Sequence, residues 1–338
     1  MGNVAVGREI LFACAAESAY NEAWGSPTLL GLAVQPPDFE PQIEHLKVKH
    51  SDPNPEAHVY DFAQGVRGWS LSVGGKIPKE GLGFPILSLM GKVTSTGSEP
   101  YDHTFGPSLQ TPVSLKCLVR TPYREAAPTK GQWHLRGGRV KSMEFVHKPN
   151  DFPRFTMELI GGSFSYEDLS AAPTILVPSS GNHFWTADDY APNSPHLHNA
   201  YGWSIFTIRI ENELAADVDE SYVIGSRERS RLERAGSEEA FRFTISAKRI
   251  MDSTASSILR SEWEAHTAAG GGANLLETGV ANLNVTSTYT FLTKYKRTPR
   301  GQGLVEEEVE AMGHKGLTGS QSVIILADEE AEPVTQGA

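Results

Sequence analysis

The stretch Arg67-Gly-Trp-Ser-Leu-Ser-Val73 alternates polar with apolar residues, and the stretch Phe241-Arg-Phe-Thr-Ile-Ser246 repeats this alternation. A period of two residues is typical of a strand with one buried face, because successive side chains point to opposite faces. The two stretches therefore predict two half-buried strands, one in each half of the chain.

Similar patterns follow both strands in the same order. After the first stretch come a short helix candidate at residues 85–90, an alternating strand at 113–121, and a hairpin formed by strands at 138–146 and 155–160. After the second come their predicted counterparts, at residues 252–266, 285–293, 304–312 and 322–326. The sequence offset from Val113 to Val285 equals that from Trp69 to Phe241, and repetition at a fixed offset indicates a duplicated unit. We expect a mainly β fold of two tandem antiparallel β-sandwich or barrel units, each with one α-helix.

Composition places the boundaries of these units. The first unit, with an extended N-terminal arm and extended loops, is expected over residues 1–172, and the second over residues 204–327. Residues 173–203 are rich in Pro and Asn, which predicts a connection between them. Residues 328–338 are acidic and are expected to form a disordered tail. The length of 338 residues fits two units, since one domain usually takes about 150 residues.

Charge and cysteine content narrow the functional classes. The chain carries 41 acidic and 30 basic residues, whereas a plain nucleic-acid binder needs basic patches. The net charge of −11 instead favours repulsion of DNA. Only Cys14 and Cys117 are present, which predicts a reduced compartment. The sequence shows no signal-peptide pattern and no run of about 20 apolar residues, so we expect a soluble protein made inside the cell, with no membrane partner.

One group of histidines is a weak candidate for a metal site. His183, His196 and His198 lie near Asp188 and Asp189, and imidazoles with carboxylates are ligands of zinc and other divalent ions. The alternative is a polar linker, because neighbouring prolines disfavour the ordered elements that hold metal ligands in place. The chain has no nucleophile elbow, phosphate-binding loop or dinucleotide-binding glycine pattern. We therefore expect no enzyme activity, no catalytic residue and no cofactor.

An acidic run lies within one of the predicted strands. Glu306, Glu308 and Glu310 fall on one face of a regular strand, and Glu307 and Val309 fall on the other. Three carboxylates in a row repel one another, so their face must be solvated. One interpretation is a solvated sheet edge that deters aggregation. The other is the wall of a water-filled channel that repels phosphate.

Several motifs resemble those of one protein family, the tail tube proteins of long-tailed bacteriophages in their larger version. The chain's opening is similar to the family's Val-Gly-x-Glu-x-x-Tyr-Gly pattern, and later motifs resemble its strand before a glycine turn, its Tyr-x-His-x-Phe loop and the start of a hairpin. The residues that carry the resemblance are Val6-Gly-Arg-Glu9 with Tyr20 and Trp24, Arg67-Gly-Trp-Ser-Leu-Ser-Val-Gly-Gly75, Pro100-Tyr-Asp-His-Thr-Phe105 and Gly137-Gly-Arg-Val-Lys-Ser-Met143. The motifs cover residues 1–170, and the likeness of the second half is topological.

The resemblance implies a structural virion protein. Tail tube proteins form rings that stack into a hollow tube, through which DNA passes without sequence-specific binding. It implies assembly in the host cytoplasm, a place in the virion tail, and contacts with a tape measure protein and with the tail terminator and distal tail proteins. Tyr101, His103 and Phe105 are then expected in an assembly loop. Glu306, Glu308 and Glu310 are expected to line the lumen.

A duplicated chain also changes the expected ring. Six tube folds per ring need only three chains that carry two folds each, which favours a trimeric, pseudo-sixfold ring. The alternative is a true hexamer in which one half of each chain forms the wall and the other half decorates it.

Two other functions remain open from the residues. Four aromatic residues, Trp185, Tyr190, Tyr201 and Trp203, are suited to a stacking platform in a carbohydrate-binding, adhesin-like β-sandwich. The histidines near His183 leave open a metal-dependent hydrolase. We favour the tail tube subunit over both.

Overall fold

The structure is a computed structural model. It describes residues 11–32, 34–35, 37–51, 58–97, 101–107, 112–120, 131–148, 151–168, 173–176, 184, 204–214, 222–223, 226–233, 241–250, 260, 263–264, 276–280, 283–287, 290–300, 304–313 and 323–328.

These residues form a mainly β fold, as the sequence predicted. In the first half the strands are β1 Leu11–Ala16, β2 Thr28–Leu32, β3 Asp38–Ser51, β4 His58–Lys76, β5 Gly91–Thr96, β6 Tyr101–Pro107, β7 Leu115–Arg120, β8 Gln132–His147, β9 Arg154–Gly161, β10 Ser163–Glu167 and β11 Thr174–Leu176. In the second half they are β12 Ile205–Asn212, β13 Phe241–Ile250, β14 Leu276–Val280, β15 Leu283–Ser287, β16 Thr290–Pro299, β17 Val305–Gly313 and β18 Val323–Asp328. Helix α1, Gly83–Met90, follows β4 and ends at Gly91, whose φ of 91° suits glycine.

Eight antiparallel strands form what we call the large sheet. Their order is β3-β4-β9-β8-β12-β13-β17-β16. The first four strands come from the first half of the chain and the last four from the second. The two halves meet where β8 pairs with β12, so one sheet runs without interruption through both.

Strand β8 is long because it belongs to two sheets. Its C-terminal part pairs with β9 and β12, and its N-terminal part pairs with β7 and β10. That N-terminal part belongs to what we call the side sheet, whose strand order is β11-β2-β1-β7-β8. Strand β10 also pairs with β8, and β11 and β2 are parallel. Gly137 lies between the two parts with φ of 64°, and its N–H donates to Glu17 Oε1 at 2.9 Å. The remaining strands form a five-stranded sheet, β14-β15-β18-β6-β5.

The core lies on one face of the large sheet. Buried side chains of this face pack with side chains of α1, the side sheet and the five-stranded sheet in one hydrophobic cluster, which includes Trp69, Phe145, Ile208, Phe243, Ile86, Met90, Phe12, Cys117, Phe105 and Val285. Trp69 is fully buried, and its indole N–H donates to the carbonyl of Arg136 at 3.0 Å. Gly138 leaves room for the indole, since a Cβ at that position would lie 2.7 Å from the Trp69 ring. A sheet with one buried face requires the alternation that the sequence shows.

Part of the order of elements recurs in the two halves, although β7 of the first half has no counterpart among the described strands of the second. In the first half, the hairpin β3-β4 is followed by α1, the hairpin β5-β6 and the hairpin β8-β9. In the second half, the hairpin β12-β13 is followed by helical residues at Arg260, Trp263 and Glu264, the hairpin β14-β15 and the hairpin β16-β17. Each half contributes four strands to the large sheet in the same spatial order, β3-β4-β9-β8 and β12-β13-β17-β16.

A β-bulge occurs at the same place in both halves. The register between β8 and β9 shifts between Val140 and Ser142, and the register between β16 and β17 shifts between Leu292 and Lys294. Val140 and Leu292 lie directly before the two bulges, so we match these two residues with each other. Their cross-strand neighbours then match as well: the row Phe39-Leu71-Leu159-Val140 of the first half corresponds to the row Ile208-Ile245-Ala311-Leu292 of the second. This match places Trp69-Ser-Leu-Ser-Val73 on Phe243-Thr-Ile-Ser-Ala247.

The prediction that matching residues of the two halves are separated by a constant number of residues is wrong. The observed strand pairing gives a different separation for different strands. The offset from Leu71 to Ile245 is slightly larger than the predicted one, whereas that from Val140 to Leu292 is clearly smaller. The predicted strand at 285–293 falls partly in β15 and partly in β16, and 113–121 falls in β7 of the side sheet, so these two are not counterparts. Nor do 304–312 and 322–326 pair with each other, because β17 lies in the large sheet and β18 in the five-stranded sheet.

Other predicted segments have mixed outcomes. The helix predicted at 85–90 is α1, whereas the segment expected to form the assembly loop is strand β6. Most of the helix predicted at 252–266 lies outside the described residues. The predicted connection at 173–203 contains β11, and the described part of the predicted tail is Asp328 at the end of β18. Within the N-terminal arm, residues 1–10 lie outside the described residues, while β1 and β2 belong to the side sheet.

Candidate functional site: the solvated face and edges of the large sheet

The face of the large sheet opposite the core is solvated and highly charged. Along β9 and β13, exposed or half-buried residues alternate with buried ones. Cross-strand pairing aligns these outward residues from strand to strand, and we call the surface that they form the solvated face. Its charged residues include Asp38, Glu40, Lys76, Glu144, Arg154, Glu158, Arg209, Glu211, Arg242, Lys248, Lys294, Lys296, Glu306, Glu308 and Glu310. Acidic and basic residues are thus mixed on this face.

Strand β17 carries the predicted acidic run. Glu306, Glu308 and Glu310 are half-buried on the solvated face, while Glu307 and Val309 are buried on the core side, as the alternation predicted. The strand lies between β13 and β16. The interpretation of the run as a solvated sheet edge is therefore wrong.

All three carboxylates of the acidic run have basic partners. Glu310 lies 2.6 Å from Lys294 Nζ, and Glu308 lies 3.3 Å from Lys294 and 3.5 Å from Lys248. Glu306 lies 2.5 Å from an Arg300 guanidinium nitrogen. Hydrogen bonds to Glu310 and Glu308 raise the pKa of Lys294 above its ordinary value. The run is therefore not a row of unpaired carboxylates, because Lys248, Lys294 and Arg300 pair with it.

A buried ion pair lies beneath the acidic run, and the sequence did not predict it. Arg249 and Glu307 are both fully buried, and the guanidinium donates to Glu307 Oε2 through Nε at 3.0 Å and Nη2 at 2.8 Å. Glu307 Oε1 accepts from the Tyr295 hydroxyl at 2.5 Å and from Arg297 Nε at 3.1 Å. Burial, followed by the hydrogen bond to Glu307, raises the pKa of Tyr295 to about 12. The sequence does contain a signal for this buried pair, because Glu307 shares a strand face with the apolar residue Val309.

The pairing of β8 with β12 joins the two halves. Phe145 lies opposite Ile208 and Met143 lies opposite Ile210, with all four side chains buried in the core. On the solvated face, Glu144 lies opposite Arg209, and their charged groups are 3.9 Å apart. We call this pairing the internal junction. It combines main-chain pairing, a buried apolar row and an ion pair on the solvated face.

The two outermost strands of the large sheet have open edges. Within the described residues, β3 pairs only with β4, and β16 pairs only with β17. Glu40, Pro41 and Gln42 are exposed on β3, as is Lys296 on β16. A shallow cavity of about 420 Å³ lies beside β3 and is lined by residues 40–43 with Val66, Gly68, Tyr222 and Arg229. An exposed strand edge is a template for pairing with another strand.

The residues predicted to form an assembly loop lie in a strand. Tyr101, His103 and Phe105 lie in β6, which pairs with β5 and β18. His103 and Phe105 are fully buried, and His103 Nδ1 lies 2.7 Å from Ser95 Oγ. The prediction of a loop here is wrong, because these residues form a paired strand whose His103 and Phe105 side chains are buried in the interior.

The other predicted site residues lie outside the described residues. These are the candidate metal ligands His183, His196 and His198, and the aromatic residues Trp185, Tyr190, Tyr201 and Trp203. Within the described ranges, no three His, Cys, Asp or Glu side chains are grouped closely enough to hold a metal ion. The helix defined there is not long and apolar enough to cross a membrane.

The two cysteines face each other across neighbouring strands. Cys14 of β1 lies opposite Cys117 of β7, and both are buried free thiols. Burial raises the pKa of Cys14 to about 12 and that of Cys117 well above its ordinary value. Neither thiol is therefore a ready nucleophile in the folded chain.

Comparison with known proteins gives no identification. No protein-family model matches the chain, and no curated protein matches it significantly.

Proposed function

We propose that this chain is the subunit of a bacteriophage tail tube, a structural protein that assembles into rings and stacks of rings. The observation that carries the proposal is the large sheet, in which one four-strand order occurs twice and, within the described residues, both outer edges are open. A heterologous contact between two different edges of one subunit closes into a ring when the rotation is suitable. The motifs in residues 1–170 that resemble tail tube proteins support the same function.

The number of strands favours three copies in each ring. Three sheets of eight strands would close a barrel of 24 strands. With strands about 4.8 Å apart, its circumference would be about 115 Å and its diameter about 37 Å, before strand tilt widens it. Each ring would then contain six four-strand units in a pseudo-sixfold arrangement. The tandem repeat of the two halves supports this ring over a true hexamer of chains.

The solvated face is suited to a lumen. It is the face of the large sheet opposite the core, and closure of the barrel would turn it toward the axis. Glu308 and Glu310 are paired with Lys294, so the face carries charge without a large excess of either sign. Affinity for DNA depends on basic groups that neutralise phosphates. Basic groups already engaged by carboxylates would bind phosphate weakly, which favours passage over retention.

The long hairpin β3-β4 supports contacts between rings. Its strands pair from Asp38 with Ser72 to Ser51 with His58, whereas β9 covers only residues 69–76 of β4. Residues 43–51 of β3 therefore extend about 30 Å beyond the shared part of the sheet, at about 3.3 Å per residue. A projection along the strand direction would reach the adjacent ring in a stack.

Electron microscopy of the purified chain over a concentration series tests this function. The expected result is hollow tubes or stacked rings at high concentration. A particle that stays monomeric throughout would contradict the proposal, and hits on a glycan array would then favour the carbohydrate-binding alternative.

A further inference from the structure

We propose that β16 of one copy pairs with β3 of the next copy in the register of the internal junction, with Lys296 opposite Glu40. The inference rests on the proposed ring assembly and specifies the contact that closes the ring. Its partner is a second copy of this chain.

The directions of the strands permit this contact. The eight strands of the large sheet alternate in direction from β3 to β16, because every neighbouring pair is antiparallel. A β3 strand from the next copy, placed beside β16, would continue the alternation. The internal junction already contains an equivalent contact. It pairs β8, the last strand of the first four-strand order, with β12, the first strand of the second, just as the proposed contact pairs the last strand, β16, with the first strand, β3.

The two bulges fix the register. Counting from the bulges matches Glu144 of β8 with Lys296 of β16, and Arg209 of β12 with Glu40 of β3. Because Glu144 lies opposite Arg209 in the internal junction, Lys296 would lie opposite Glu40 of the next copy. The proposed contact would thus contain an ion pair at the same position as the internal junction, but with the base on β16 and the acid on β3.

The charges of the two edges are complementary. The outward residues of β3 include Asp38 and Glu40, and those of β16 include Lys294 and Lys296. Glu40 and Lys296 are both exposed, and within its own copy Lys296 lies opposite Glu308 of β17. Opposite charges at directly facing positions stabilise antiparallel pairs, and like charges destabilise them. The two edges therefore favour each other over pairing with a copy of themselves.

Pro41 modifies the contact without preventing it. Its counterpart in the internal junction is Ile210, and proline has no backbone N–H to donate. Natural edge strands use proline to limit unspecific pairing. The new junction can therefore contain one donor fewer than the internal one.

Charge reversal tests the register. Glu40→Lys and Lys296→Glu each place like charges at the junction, and we expect each to raise the concentration for half-maximal assembly about tenfold. The double variant restores opposite charges and should return this concentration to within about twofold of that of the unmodified chain. The control is Glu158→Lys, an exposed residue of the same face in the interior of the sheet, with the same change in net charge as Glu40→Lys. Circular dichroism checks the fold of each variant.

Cysteine crosslinking gives an independent measurement. In a chain with Glu40→Cys and Lys296→Cys, mild oxidation should link neighbouring copies into covalent oligomers, while Cys14 and Cys117 stay buried. A chain with Ile43→Cys and Lys296→Cys should link poorly, because three residues along a strand displace the thiols by about 10 Å.

The outcomes separate this register from the proposed function. If the unmodified chain forms tubes but reversal at Glu40 or Lys296 acts no more strongly than Glu158→Lys, or the 40–296 crosslink does not form, the register is wrong and the tube function stands. If the unmodified chain forms no ring or tube, both are overturned.

Discussion

At the scale of single residues, the least expected feature is the fully buried pair of Arg249 and Glu307. Taking a carboxylate and a guanidinium out of water costs several kcal/mol each, and this is offset only when hydrogen bonds satisfy both groups. Glu307 accepts hydrogen bonds from Arg249, Tyr295 and Arg297. The pair thereby links β13, β17 and β16, the last three strands of the large sheet.

Removal of one charge from this pair should destabilise the chain strongly. Glu307→Gln keeps the side-chain shape but removes the negative charge that lies beside the buried Arg249 guanidinium, so we expect a loss of about 3–5 kcal/mol in the free energy of unfolding. Denaturant titration of the monomer measures this loss. Glu308→Gln on the same strand is the control, because Glu308 is partly exposed and should lose less than about 1 kcal/mol. Equal losses for the two variants would contradict this account of the buried pair.

His134 is a second buried titratable residue, and it makes stability depend on pH. Its ring stacks on Trp24 with centroids 4.0 Å apart, and Nε2 is buried with no hydrogen-bond partner among the described residues. Burial lowers the pKa of His134 to about 4. The unfolded chain therefore binds a proton at a higher pH than the folded chain. The contribution of His134 is present above about pH 6.5 and is lost as the pH falls toward 4.

Replacement of His134 should remove this part of the pH dependence. A shift from 6.5 to about 4 corresponds to up to about 3 kcal/mol. Unfolding of the unmodified chain and of His134→Phe, which keeps an aromatic ring against Trp24, should be compared between pH 7 and pH 4. The expected result is a steeper loss of stability for the unmodified chain. Parallel pH profiles would show that His134 does not contribute.

At the scale of elements, the joint between α1 and the large sheet depends on one side chain. Asn212, at the end of β12, donates through Nδ2 to the Leu89 carbonyl at 2.6 Å and to the Val140 carbonyl at 3.1 Å. The first carbonyl belongs to the last turn of α1, and the second lies beside the bulge of β8. Asn212 therefore holds an element of the second half against two elements of the first.

Loss of this amide should weaken the joint between the halves. Asn212→Ala removes both of these buried hydrogen bonds, and we expect a cost of about 1–3 kcal/mol in thermal or chemical unfolding. Ser204→Ala is a suitable comparison at the other end of the same strand, since the Ser204 hydroxyl donates to the Lys248 carbonyl at an exposed site. A cost for Asn212→Ala no larger than that for Ser204→Ala would contradict this role.

The sequence predicted those elements whose side chains alternate clearly. β4, β9, β13 and β17 were found near their observed positions because each has one buried and one solvated face. β6 was missed because Tyr101-Asp-His-Thr-Phe105 contains polar residues that the interior accommodates, such as His103 beside Ser95. The first part of β8 was missed because Gln132 and His134 are polar yet buried. Gln132 is accommodated by long-range hydrogen bonds with Arg120 and Asp168, which no local pattern contains.

At the scale of the whole molecule, the spacing of the repeat was the least accurate inference. A fixed offset ignored the different lengths of the connections in the two halves. The observed offset is larger between Leu71 and Ile245 than between Val140 and Leu292, and it emerges only from the pairing and the two bulges. For the candidate site, the sequence analysis identified the acidic residues of β17, but not their basic partners Lys248, Lys294 and Arg300. Cross-strand neighbours depend on register, which a single sequence does not determine.

The number of chains in an assembled ring tests the central claim most directly. Native mass measurement of rings released from tubes, with symmetry measured by electron microscopy, provides it. A continuous sheet of eight strands per copy predicts a ring mass of three times the 36.8 kDa chain, with threefold symmetry and six similar units around the lumen. A ring of six chains, or a chain that never leaves the monomeric state, would contradict it.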